Sequence, residues 1–228
     1  MSRAFSWLSF LALWAFAASM GLLEAAVVVY LRALGRGAGT ELAQVQELLR
    51  TLDTRLLLIE RQREVVTIVM LLVPAFLFSE RWAYRVLAFV LLFGVWDVTY
   101  YAFLRRMIGW PNSWTTLDVL FLIPSPWIAP VVCPLLIAGT MVVFAGVYLV
   151  LARTRAIKSP HLGAWIGMAV GAALVLFSFL YGKDAYVSAT DQLPRFGWAW
   201  FLGGYALRLI ACGVILIQLY REPKARFF

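Results

Sequence analysis

Long apolar runs, each broken off by charge, glycine or proline, divide this chain from end to end. The first runs from Trp7 to Leu31 and stops at Arg32, Gly35, Arg36 and Gly37. A helix rising 1.5 Å per residue needs about 20 residues to cross roughly 30 Å of hydrocarbon. That run is therefore a membrane span, and it is too long for the apolar core of a signal peptide. Next comes Thr40 to Arg63, where Leu42, Val45, Leu48, Leu49, Leu52 and Leu56 recur at three- and four-residue steps. Acids, arginines and Gln44 fill the other faces. The pattern predicts an amphipathic helix over 40–63, lying along the membrane surface or extending the apolar helix 65–78 that follows. Pro74 predicts a kink in that second span.

Further spans are predicted over 82–104, closed by Arg105 and Arg106, over 162–181, and over 196–220. Gly163, Gly167 and Gly171 form overlapping small-xxx-small steps that permit close helix contact. The stretch from Leu117 to Pro134 is different, because it is apolar yet carries Asp118 and Pro124, Pro126, Pro130 and Pro134. Proline removes a backbone donor and disfavours helix in the residue before it. The expectation is a half-helix to Ile123, a bend at Pro124–Pro126, and a fourth span over 127–151. The fold class is thus an all-α integral membrane protein: about six transmembrane helices, one amphipathic surface helix, and a proline-broken segment before helix four. It forms one polytopic domain over 1–228.

Composition supports this. Of the 228 residues 63% are apolar and 14% charged, where a soluble domain is closer to half and a quarter. The net charge of +8 sits at the ends of apolar runs, which points to positive-inside topology and anionic lipid headgroups and away from nucleic acid. Basic residues are nearly balanced between the two sides of the bundle. The acid-poor clusters are Arg153, Arg155 and Lys158, and the tail Arg221, Lys224 and Arg226. These favour both termini in the cytoplasm and a bacterial-type plasma (inner) membrane. Cys133 and Cys212 read as buried thiols, and a single His161 excludes bis-histidine haem ligation and argues against zinc. No nucleotide loop or nucleophile elbow is present.

The informative residues are the charges inside the spans. Helix arithmetic puts Glu24 about 25 Å above Trp7, Glu64 about 21 Å above Phe78, Asp97 about 22 Å above Trp82 and Arg208 about 20 Å above Arg221. All four therefore share one layer in the outer half of the membrane. Glu60 lies one turn from Glu64 on the same face, beside Arg63. Tyr100 and Tyr101 follow Asp97 at three and four residues, and Asp118 opens the broken segment on the same side. Charge at this depth is kept where it is paired or used. Three readings follow: a structural ion-pair network; a site for a hard divalent cation held by Glu24, Glu64, Asp97 and Asp118; or a proton relay among crowded carboxylates. Arg208 and Arg63 would then balance charge, and Pro124 and Pro126 would line or gate the path.

The expected function is a cation- or proton-linked transporter or permease. The alternative is a non-catalytic subunit whose apolar surfaces meet partner membrane subunits. A third reading is a metal-dependent membrane enzyme acting on a lipid, against which stands the lack of any acid-rich DDxxD motif. The segment Gly21 to Ala25 (GLLEA) resembles the end of the Arg-Glu-Gly-x-Glu-Ala helix of iron permeases. Ser19 and Met20 stand where that family has its Arg-Glu pair, so the resemblance implies no role for Glu24.

Overall fold

A computed structural model of the protein describes residues 7–34, 54–155, 159–181 and 196–223. These described residues contain six long helices: α1 (Trp7–Leu34), α2 (Thr54–Phe78), α3 (Trp82–Ile108), α4 (Val132–Leu151), α5 (Leu162–Leu180) and α6 (Trp198–Arg221). Five of them are long and apolar enough to cross a membrane. The sixth, α2, has 25 residues but carries Glu60, Arg61, Arg63 and Glu64 in its first half. Large apolar side chains such as Leu8, Leu77, Leu162 and Ile210 cover the outside, where lipid replaces water as the solvent.

The helices run alternately up and down. At one end Tyr84, at the start of α3, donates to the Ala152 carbonyl at the end of α4. Arg153 stands over the Trp7 ring, and Arg155 donates to the carbonyls of Tyr220 and Glu222. The start of α1 and the end of α6 therefore share one end of the bundle. The most buried helix is α3, which packs against α1, α2 and α4. The other large contact is α5 on α6, joined to the first group through α4–α6 and through the hairpin.

Two expectations require correction. Residues 117–123 do not begin a half-helix, and helix four does not start at Trp127. Instead β1 (Leu117–Phe121) and β2 (Trp127–Pro130) pair as an antiparallel hairpin, with Asp118 opposite Ala129 and Phe121 opposite Trp127. The reason lies in three of the prolines. Pro124, Pro126 and Pro130 disfavour helical angles in Ile123, Ser125 and Ala129, so the backbone stays non-helical until α4. Pro134 is then the third residue of α4, where the missing N–H is one a helix start leaves unbonded in any case. The amphipathic helix over 40–63 has two readings, along the surface or continuous with the second span. Its described part, from Thr54 onward, is continuous with α2 and not a separate surface element. Residues 40–53 lie outside the described residues.

Glycine sets how closely the helices approach. A Cβ on Gly171 would lie 2.6 Å from the Gly204 carbonyl oxygen, and one on Gly204 2.7 Å from the Gly171 carbonyl oxygen, so α5 and α6 cross backbone to backbone. Gly21 of α1 against α3, and Gly94 of α3 against α4, are equally tight. Gly163, the first of the predicted small-residue stripe, faces open space.

Candidate functional site

Each of these crossings places a charge one turn away. Gly21 precedes Glu24 by three residues, Gly94 precedes Asp97 by three, and Gly204 precedes Arg208 by four. Residues three and four apart share a helix face. The charged side chains therefore open inward just where the backbones have come together. They meet in a cavity of about 370 Å³ walled by all six helices and by the hairpin. Glu24, Glu60, Arg63, Glu64, Asp97, Tyr100, Tyr101, Asp118 and Arg208 all line it. Helix depth alone thus picks out groups that do converge. Pro124 and Pro126 are not among the lining residues; they form the turn between the strands.

Most of the carboxylates are already engaged. Arg63 pairs with Glu24 on α1, and its Nη2 and Nε lie 2.7 and 2.8 Å from Glu60 Oε2. Thr67 adds a long contact to the second Glu24 oxygen at 3.4 Å. Glu64 accepts from the backbone N–H of Leu122 with both oxygens, at 2.8 and 3.0 Å. Leu122 follows the end of β1, so this buried carboxylate satisfies a donor that strand pairing leaves over. Unpaired backbone at membrane depth costs several kcal/mol, of the order of ~2–7 for an amide. Glu64 therefore anchors the hairpin to α2. Asp118, on β1, accepts from the Tyr101 hydroxyl at 2.9 Å and has the Arg32 guanidinium at 3.9 Å. The Arg32 guanidinium carbon in turn lies 3.8 Å from the Trp110 ring centroid, and Trp110 stacks on Tyr101.

Two charged groups stand apart from these networks. Among the described residues, Asp97 has no hydrogen bond and no ion pair, and neither does Arg208. Asp97 sits in the middle of the innermost helix, between buried Trp96 and half-buried Val98, yet part of its surface is accessible. Asp97 is among the residues that line the cavity. Asp118 is near enough to act on Asp97 electrostatically, whereas the groups acting on Arg208 are Tyr205 and Cys212. Arg208 lines the same cavity from α6. It also lines a second, smaller cavity of about 80 Å³ with Thr140, Tyr205 and Cys212.

The donor set does not fit a carboxylate-bound metal ion. Glu24 and Glu60 share one arginine, Glu64 is taken by the hairpin backbone, and Asp118 by Tyr101 and Arg32. Among the described residues no three His, Cys, Asp or Glu side chains stand together as ligands. Cys133 and Cys212 are buried and free, and His161 precedes α5 at its exposed start.

Sequence reasoning missed two features. Arg32 reads as a helix-end charge, and only the fold of the hairpin beneath it reveals Asp118 as its partner. The second is an aromatic row in which Trp96, Phe93, Phe121 and Trp127 touch in succession, with ring centroids 5.1, 6.4 and 5.3 Å apart. All four line the cavity. The signal for half of this row was present: Phe93, Trp96 and Asp97 fall on one helix face. Comparisons with known protein families, with curated proteins and with solved structures find no match to this chain.

Proposed function

We propose that the protein is a proton-linked membrane transporter whose coupling residue is Asp97. The observation that carries this reading is a carboxylate without a partner, at the centre of the innermost helix, opening into a cavity large enough for a small organic molecule. Sites for such molecules are mostly apolar clefts with a few placed polar groups, of roughly 300 Å³ upward. An ionised carboxylate in apolar surroundings is favoured by taking either a proton or a cation, and a group that alternates between the two couples their movements. The paired carboxylates have a different task here. Glu24, Glu60 and Arg63 tie α1 to α2, and Glu64 ties the hairpin to α2, so the walls hold their shape while Asp97 titrates.

The orientation belongs to the same proposal. Arg81, Arg85, Arg153, Arg155 and Arg221 ring the end that holds the start of α1 and the end of α6. That end faces the cytoplasm of a bacterial-type plasma (inner) membrane and its anionic headgroups, and the hairpin faces outward. Purified protein in vesicles with a trapped pH-sensitive dye tests the function. A panel of small amphiphilic compounds is added under an imposed proton gradient. Compound-dependent proton movement is expected in the wild type and in Glu80→Gln, whose carboxylate is exposed far from the cavity, and is expected to be lost in Asp97→Asn. Undiminished movement in Asp97→Asn, or none with any compound in the wild type, overturns the proposal.

A further inference from the structure

We infer that the cavity takes a lipophilic organic ammonium ion, with the cationic head on Asp97 and the apolar body along the aromatic row. This deepens the transport proposal and rests on it for the word substrate, but the binding site stands on its own observations.

The first is charge. Five carboxylates line the cavity against three guanidinium groups, and the anion left unpartnered lies on the innermost helix. Asp97 faces charge from several elements. On α1 are Glu24 and Arg32, on α2 Glu60, Arg63 and Glu64, on the hairpin Asp118, and on α6 Arg208. Its own helix adds Tyr100 and Tyr101, and no ionisable side chain of α4 or α5 lines the cavity. Arg63 and Arg32 are committed to other carboxylates, and Arg208, on α6, makes no ion pair with Asp97. A cation from outside is the partner that Asp97 lacks.

The second observation is the wall beside it. Trp96 adjoins Asp97 in sequence, Phe93 lies one turn back on the same face, and Phe121 and Trp127 continue the row across the hairpin. Aromatic faces attract ammonium groups through their quadrupoles and shed water from apolar substituents. A metal cation would find no use for such a row. A free anion would choose Arg208 and meet the carboxylates as repulsion. One cation and one proton then exchange at one carboxylate: the ammonium ion arrives as the proton leaves Asp97, and the charge of the site is unchanged.

Binding in detergent separates this inference from transport. Ethidium and benzyltriethylammonium are titrated calorimetrically into the intact protein at several pH values, in buffers of different ionisation enthalpy. Saturable one-to-one binding is expected, weakening by about tenfold per pH unit once the site carboxyl is protonated, with release of up to one proton per cation. Asp97→Asn is expected to bind at least tenfold more weakly and to lose the pH dependence, whereas Asp97→Glu keeps it. Phe121→Ala is expected to weaken binding several-fold while the folded fraction stays that of the wild type. No binding of either cation overturns the inference and leaves proton-linked transport of some other compound standing. Equal or tighter binding of naphthalenesulfonate, lost in Arg208→Gln, also overturns it, because the site would then select anions. Cation binding without any coupled proton movement in vesicles overturns the transport proposal alone.

Discussion

Arg63 holds carboxylates from two helices at once, and its neighbour in the cavity, Asp97, holds none. The two should respond to substitution in opposite directions. Replacing Arg63 by Met leaves Glu24 and Glu60 facing each other without a counter-charge. Removing one partner of a buried ion pair costs about 3–5 kcal/mol, and polar contacts inside membranes usually cost less. A loss of about 2 kcal/mol is expected, read as a lower Tm in detergent. Adding Glu24→Gln and Glu60→Gln to the same chain should recover most of it, since the groups left stranded are then neutral. A triple variant no more stable than Arg63→Met would mean that the guanidinium acts by packing alone. Asp97→Leu carries the opposite expectation. Its carboxylate has no bond to lose and a desolvation cost to shed, so the variant should gain about 1–2 kcal/mol while losing cation binding. A fall in Tm would show that Asp97 serves the fold.

Between elements, the deciding contacts are backbone approaches and one backbone donor. A side chain on Gly204 meets the Gly171 carbonyl and the α5 backbone, so Gly204→Val should part α5 from α6 at a cost of about 1–3 kcal/mol. Gly203, one residue earlier, faces open space, and Gly203→Ala should be neutral or slightly stabilising. Thermal unfolding of the two variants side by side checks the difference. The hairpin has a similar test. Glu64→Gln keeps an oxygen for the Leu122 N–H, whereas Glu64→Leu strands that donor and should cost about 1–3 kcal/mol, with proteolysis between Pro124 and Trp127 as a local readout. These contacts also mark how far sequence could lead. The spans were legible because lipid demands about 20 apolar residues of each, and the depth of Glu24, Glu64, Asp97 and Arg208 followed from helix rise alone. The segment after Leu117 was misread because Leu, Val and Phe suit a half-helix and a strand equally. The group that stabilises the strand end, Glu64, lies 58 residues earlier in the chain. Pairing between helices was likewise invisible: nothing in sequence tells that Arg63 turns to Glu24 on α1 while Arg208 finds no acid among the described residues.

Across the whole molecule, the helices fall into two groups, α1 to α4 gathered on α3 and α5 paired with α6, and the cavity opens between them. Among the described residues their largest direct helix contact is α4 on α6, where the hydroxyls of Thr140 and Tyr205 lie 2.7 Å apart beside Arg208. Arg208 and Ile137 line both the large cavity and the smaller one behind it. A molecule held at Asp97 would have to pass this wall to continue inward, and the α5–α6 pair is the smaller body and the one joined through fewer elements. Rocking of one helix group on another about a central site is a general way to alternate access. Cysteines at positions 140 and 205, in a chain with Cys133 and Cys212 changed to Ala, allow the seam to be fastened with a short bis-maleimide. Fastening leaves Asp97 and the aromatic row untouched. Cation binding in detergent should therefore survive within about twofold, while cation–proton exchange in vesicles should fall at least tenfold. Exchange that persists at the full rate in the cross-linked protein would place the moving element elsewhere, and loss of binding together with exchange would mean that the seam shapes the site and does not gate it.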